Sequence, residues 1–245
     1  MTLAAKLLSA VDDIISQQQL MKVGAFAPHV QISIKRDGIA GVAGRVAPEP
    51  KVNHFWIDAL FAQYKRVVCF SIVGGKTPTC DGIEMVKLRR YIEVLKKALN
   101  TEAEPCLICV HMPNDRDIAG PYMAECGLRD DVMEICDPSG AFSLELGIAF
   151  NGFTAGLDKN RHLPLVVPHR TWTYWETEEV GEGSAKVRRS VLKYLEQEEK
   201  AKEKGDKVCE KNDPANVLKT IQSLSVESVT SGVAGVSVYD EKKKA

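Results

Sequence analysis

The sequence predicts an α/β domain, a central mixed sheet with helices on both faces. Three observations lead there. The run Val67-Val68-Cys69-Phe70-Ser71-Ile72-Val73 reads as a strand buried on both faces, and Gly74-Gly75 ends it. A helical stripe of Met85, Leu88, Ile92, Leu95 and Leu99 follows. Further apolar runs then alternate with helical patterns down the chain, as strands and helices do when they are layered against one another.

Composition sets the bounds. The chain has 245 residues, 44% hydrophobic and 27% charged, enough for one large domain or one ordinary domain with extensions. Its 32 basic and 33 acidic residues leave a net charge of -1, which argues against a nucleic-acid footprint spread over the surface. No apolar run is long enough to span a bilayer.

Taken in order, residues 1–20 place Leu3, Leu7, Leu8, Val11, Ile14 and Ile15 on one helical face. Asp12 and Asp13 and the lack of arginine before Arg36 make this a weak match to a mitochondrial presequence, and it is no secretory signal. Residues 30–34 alternate as a strand, and 37–53 are rich in Gly, Ala and Pro, a loop or short hairpin. Residues 54–64 read as a short helix and 66–73 as the central strand. Residues 81–99 form the helix already noted, with Lys87, Arg89, Arg90, Lys96 and Lys97 as its solvated face.

Residues 106–111 are the next strand, and 118–126 a short helix interrupted by Gly120-Pro121. The strand at 132–136 runs into Asp137-Pro138-Ser139-Gly140, a turn signal, and a short helix over 141–150. The β-rich runs 163–167 and 171–176 flank Pro168-His169-Arg170 and predict a hairpin. A helix is expected over 184–202, then a charged linker to about 211 and a helix opening at Asp213-Pro214. Three segments result: an amphipathic helical extension at 1–21, a domain at 22–203, and a C-terminal linker and extension at 204–245.

Seven cysteines stand at 69, 80, 106, 109, 126, 136 and 209, an odd and irregular set that suggests no disulfide framework. A reducing, intracellular setting fits, cytoplasmic by default with a mitochondrial one left open. Cys106 and Cys109 form a C-x-x-C, but inside a buried strand they read as core residues, and nothing completes a zinc set. His29, His54 and His111 are isolated and read as structural, and Trp56, Trp172 and Trp175 as core or interface.

The segment that carries chemistry is Thr77-Pro78-Thr79-Cys80, between the central strand and its helix. A cysteine in a first helical turn meets free N–H groups and the positive end of the helix dipole, which favour the thiolate. A hydroxyl three residues earlier reaches back across the same turn. In isolation, a T-x-x-C is better explained by a buried cysteine in a strand-to-helix turn.

Several segments in the right order resemble the type II, peroxiredoxin-5-like group of peroxiredoxins, over roughly residues 22–200. The family's active-site loop reads P-G-A-F-T-P-[TG]-C; here it is Val73-Gly74-Gly75-Lys76-Thr77-Pro78-Thr79-Cys80. Lys22-Val23-Gly24 with Pro28 looks like the family's opening, Asn114-Asp115 matches the segment after the next strand, and Asp137-Pro138-Ser139-Gly140-Ala141-Phe142 matches D-P-x-G-x-F. The resemblance implies a thioredoxin-like fold and a thiol peroxidase that needs no metal, flavin or haem.

By the same resemblance Cys80 is the peroxidatic cysteine. Its thiolate attacks a hydroperoxide and becomes a sulfenic acid. Thr77 bonds peroxide and thiolate, and backbone N–H groups at Thr79 and Cys80 stabilise developing charge. Val73, Lys76, Pro78 and Thr79 support the loop, Val73 replacing the family's proline and Gly75-Lys76 its Ala-Phe. The family's activating arginine stands just before the hairpin strand, and the aligned position here is His162, which lacks a permanent charge and a planar donor fork. Residues 176–184 hold no resolving cysteine, so a one-Cys cycle with an external thiol reductant is implied, and Cys209 substitutes only if the tail folds back. The family's habit implies a homodimer. The altered loops and both extensions leave open the alternative, a catalytically degenerate fold kept as a structural or interaction module of a larger assembly.

Overall fold

In the computed structural model the described residues are 3–35, 52–73, 106–113, 132–137, 139–152, 166–197, and 219, 220 and 223. Thr77, Lys76, Pro78, Thr79, Cys80 and His162, and the helix expected over 81–99, lie outside them. The elements are α1 (Leu3–Gln17), β1 (Gln31–Lys35), β2 (Val52–Trp56), α2 (Ile57–Phe61), β3 (Arg66–Ser71), β4 (Cys106–Pro113), β5 (Met133–Asp137), α3 (Ala141–Leu146), β6 (Ala149–Asn151), β7 (Val166–Pro168), β8 (Thr171–Val180) and β9 (Val187–Gln197).

Seven strands form one mixed sheet in the order β2-β1-β5-β4-β3-β8-β9, and β6 and β7 form a separate pair. β3 runs parallel to β4 and β4 to β5, while β8 is antiparallel to both β3 and β9. Burial explains the parallel centre. Beyond Arg66 every residue of β3 is buried, and beyond Cys106 every residue of β4. Strands covered on both faces read as continuous apolar runs.

One face packs Val67 and Cys69 with Phe61, Phe142, Leu146 and Trp175. There Phe61 meets Trp175 at 5.6 Å and Phe142 edge-on at 6.2 Å. On the other face Phe70 stacks on Trp172 at 4.4 Å. Trp56 instead stands at the surface, stacked on His29. Cys69 and Cys109 pair across β3 and β4 in the first core. Burial pushes the Cys109 thiol up, and also Cys106, to about 12 against the pull of Arg66, so neither is a ready nucleophile.

Four expectations are corrected. Residues 187–197 are a strand and not part of a helix over 184–202. Val187, Val191 and Leu195 recur at helical spacing, but β9 finds a ladder with β8, and Ser190 bonds Thr177 across it at 2.8 Å. The hairpin is accordingly β8–β9. Its turn uses Gly181 at φ +116°, where a Cβ would lie 2.7 Å from Ala185 O. The run 163–167 does not pair with 171–176; its end forms β7, which pairs with β6. Residues 52–56 are strand β2, so the helix expected over 54–64 shrinks to α2. The helix over 141–150 stops at Leu146, where Gly147 turns left-handed, and the chain enters β6.

The stretch after α1 seals this corner. Gln18 bonds both backbone groups of Ala149, Asp12 accepts from Asn151 Nδ2 at 2.8 Å, and Met21 N–H donates to Leu146 O at 3.0 Å. Gly147 sits beneath it at φ +72°, with a virtual Cβ 2.1 Å from Gln19 O. Gly147→Ala is therefore expected to destabilise the protein by about 1–3 kcal/mol, from the strained φ and the backbone clash together. Urea unfolding checks this; an unchanged midpoint would refute the packing of residues 18–21 on α3.

Candidate active site

β3, β4 and β5 point the same way, and parallel sheets place their chemistry beyond the carboxyl ends of the strands. The residues at that end are Ser71, His111 and Asp137. Register puts Ser71 beside His111 and His111 beside Ile135, two residues before Asp137. Val73, the first residue of the implied loop, is half-buried just past β3.

A buried polar network ties these ends together. His111 Nδ1 lies 2.8 Å from Ser71 Oγ, and Nε2 lies 3.4 Å from Asp137 Oδ2. The Ser143 N–H and hydroxyl each donate to Asp137 Oδ2 at 2.9 Å. The His111 ring meets Phe142 edge-on at 4.9 Å. Ser71, His111, Asp137 and Ser143 are all buried to within 1%. A serine, histidine and aspartate in line evoke nucleophilic catalysis, but no substrate reaches a group sealed this far inside. The network instead fastens β3, β4, β5 and α3 at the end where the Cys80 loop departs.

Burial alone would raise the Asp137 carboxyl. The His111 imidazole 3.4 Å away and the two Ser143 donors outweigh it, and the carboxyl sits below the ordinary aspartate range. A depressed folded value means stability present above the unfolded pKa, about 3.9, and lost as pH falls through the folded value. Asp137→Ala is expected to cost about 3–5 kcal/mol at neutral pH, since it strands His111 without its partner. Denaturant unfolding between pH 3 and 7 should show the gap between wild type and variant closing at the acid end. A gap independent of pH would assign the loss to packing.

The antiparallel neighbour of β3 brings an arginine to the same end of the sheet. Thr171, the first residue of β8, pairs with Ser71, the last of β3. The residue immediately before is Arg170, half-buried, with a buried Nε. Its turn is fixed on both sides: Thr171 Oγ1 donates to His169 O at 3.0 Å, and the His169 ring stacks on Phe150 at 4.4 Å. With 163–167 as the first hairpin strand, His162 aligns with the family's arginine. The strand that opens the hairpin is β8, and the residue ahead of it is Arg170. The signal was present: an arginine followed by the long β-forming run Thr171-Trp172-Thr173-Tyr174-Trp175, then a turn at Gly181 and Gly183 and a second strand. Among the described residues no cluster of His, Cys, Asp and Glu could hold a metal ion, and no helix is long and apolar enough to cross a membrane.

No family model and no curated protein matches the sequence. Solved structures do match. A candidate thioredoxin reductase from Burkholderia cenocepacia shares 22% identity at a TM-score of 0.57, over 82% of this chain and 98% of that one. The Plasmodium falciparum antioxidant protein, a 1-Cys peroxiredoxin, shares 15% at 0.58, over 83% and 99%. Reduced Prx3 in complex with H2O2 from Vibrio vulnificus shares 15% at 0.56, over 84% and 99%. These likenesses define the class of the fold, a mixed thioredoxin-like sheet with helices. Within that class the fold is similar to that of the two peroxiredoxins, the fold that the resemblance implied.

Proposed function

We propose that this protein is a one-Cys thiol peroxidase acting on hydrogen peroxide or small organic hydroperoxides, with Cys80 as nucleophile and Arg170 as the activating cation. The observation that carries this is the pairing of Thr171 with Ser71. It starts the Cys80 loop and Arg170 from the same end of adjacent strands. A guanidinium there supplies the permanent charge and donor fork that His162 lacks.

In the reaction the Cys80 thiolate attacks the terminal peroxide oxygen and the O–O bond breaks. A sulfenic acid forms, and the other oxygen leaves as water or an alcohol after taking a proton. Thr77 and the N–H groups at Thr79 and Cys80 hold the peroxide, and Arg170 stabilises charge on the leaving oxygen. An external thiol condenses with the sulfenic acid, releasing water, and a second thiol frees Cys80 as a disulfide departs. Val73, Lys76 and Pro78 shape the loop.

A second reading, an interaction module with the chemistry lost, is favoured by α1, which turns Leu7 and Ile14 to solvent at 54% and 55% exposure. Stopped-flow tryptophan fluorescence separates the two, with Trp172 buried two residues from Arg170 as reporter. Wild type is expected to be oxidised by hydrogen peroxide orders of magnitude faster than a free thiol, and Cys80→Ser not at all. Arg170→Met should lose about 10²–10³ in rate, by analogy with deletion of an oxyanion-stabilising donor, and His162→Ala little. A wild-type rate like that of an ordinary thiol would favour the module. A collapse in His162→Ala with Arg170→Met intact would return the role to His162.

A further inference from the structure

We propose that the outer edge of β9 at Val187, Arg188 and Arg189 is a docking groove for an extended acidic peptide with apolar residues at alternate positions. The segment after α1 covers this edge only in part. Gly24 N–H donates to Leu192 O, Leu192 N–H to Ala25 O, and Ala27 N–H to Ser190 O, each at 2.8 Å. Pro28 comes next and has no N–H, so the ladder ends. Every second residue of a strand turns its N–H and C=O to the same edge. Leu192 and Ser190 turn theirs outward, so Arg188 does too, and among the described residues no backbone bond reaches Arg188 from outside. An unpaired stretch of edge is a template for one more strand.

An open groove of ≈ 480 Å³ runs beside it, lined by Phe26, His29, Asp58 and Ala59 together with Arg188 and Arg189. Its charges select the occupant. Asp58 is engaged at both oxygens, Oδ2 by His29 Nδ1 and Oδ1 by the Ala59 N–H, each at 2.9 Å. Glu178 and Glu179 lie opposite Arg189 and Arg188 in the ladder, and Lys193 and Lys186 pair with them. Among the described residues Arg188 forms no ion pair, and Arg189 lies over the Phe26 ring at 5.0 Å. Consecutive strand residues turn to opposite faces, so Arg188 stands on one face of the edge, where a carboxylate can meet it in bidentate geometry, and Arg189 stands on the other with Phe26 and Val187. Phe26 and Val187, 41% and 51% exposed, offer apolar contacts for the residues between.

The same charges argue against the other occupants. A second copy paired antiparallel about a two-fold axis at this stretch would bring Arg188 and Arg189 of one copy beside those of the other. The chain's own tail sets Asp240 and Glu241 directly against Lys242, Lys243 and Lys244, a mixed set that matches the guanidinium groups less well than an unbroken acidic strand.

The test is fluorescence anisotropy of the full chain with a fluorescein-labelled acetyl-(Glu-Val)3 amide. Saturable binding is expected, weakened at least about tenfold by Arg188→Glu with Arg189→Glu, and equally by N-methylation of alternate peptide amides. Hydrogen exchange at the Arg188 amide should slow on binding. Absence of saturable binding, or equal binding of the Lys-Val analogue, would overturn the proposal. So would an Arg188 amide already protected in the free chain that is released by removing residues 225–245, which would make the tail the occupant, or one protected only at concentrations where sedimentation shows a dimer.

Discussion

The antiparallel pairing of β8 with β3 is the constraint on which the rest depends. β3 and β4 are buried on both faces, so β3 needs a partner on its free edge; an unpaired backbone N–H or C=O there would cost about 1–3 kcal/mol each. β8 fills all six positions, from Ser71 with Thr171 to Arg66 with Glu176. The indoles of Trp172 and Trp175 then cover the two faces, one against Phe70 and the other against Phe61. The register that satisfies the backbone also places Arg170 next to the end of β3.

A second requirement acts at the same end. Three parallel strands leave together there, and the side chains that fasten them are polar. His111, in the middle of the sheet, engages Ser71 on one neighbour and Asp137 on the other, and Asp137 in turn takes two donors from Ser143 at the start of α3. Buried polar groups of this kind are costly when half-satisfied and rigidifying when paired. A nucleophile carried on a loop needs a fixed origin, and the Ser71–His111–Asp137–Ser143 line makes the strand ends hard to displace relative to one another.

Much of this was legible in the sequence where burial is two-sided. The strands containing Val67, Ile108 and Ile135 are apolar runs that fit no other element. β9 was not legible, because Val187, Val191 and Leu195 fit a helix as well, and only the partner strand and the segment at Phe26 decide for extended backbone. With β9 a strand the hairpin is β8–β9, and the residue ahead of it is Arg170. His111 reads as structural from its isolation in the sequence, and the structure agrees; its partners Ser71, Asp137 and Phe142 lie 40, 26 and 31 residues away, beyond any local pattern.

The N-terminal extension bears on the same site. Its composition marks it off from the rest of the chain near residue 21, but hydrogen bonds cross that mark. Gln18 clasps the backbone of Ala149, and Ala149 pairs with Pro168. Phe150, the next residue, stacks on His169, whose N–H is held by Ile148 O at 2.7 Å. Arg170 follows directly. The path from α1 to the arginine thus consists of a side-chain amide bonded to a strand, one strand pair and one ring stack, with no long flexible link between them. An appendage that only tethered the domain would have no reason to satisfy both backbone groups of Ala149. One that braces β6 and β7 does, because those two strands form no part of the large sheet and take their rigidity from what packs on them.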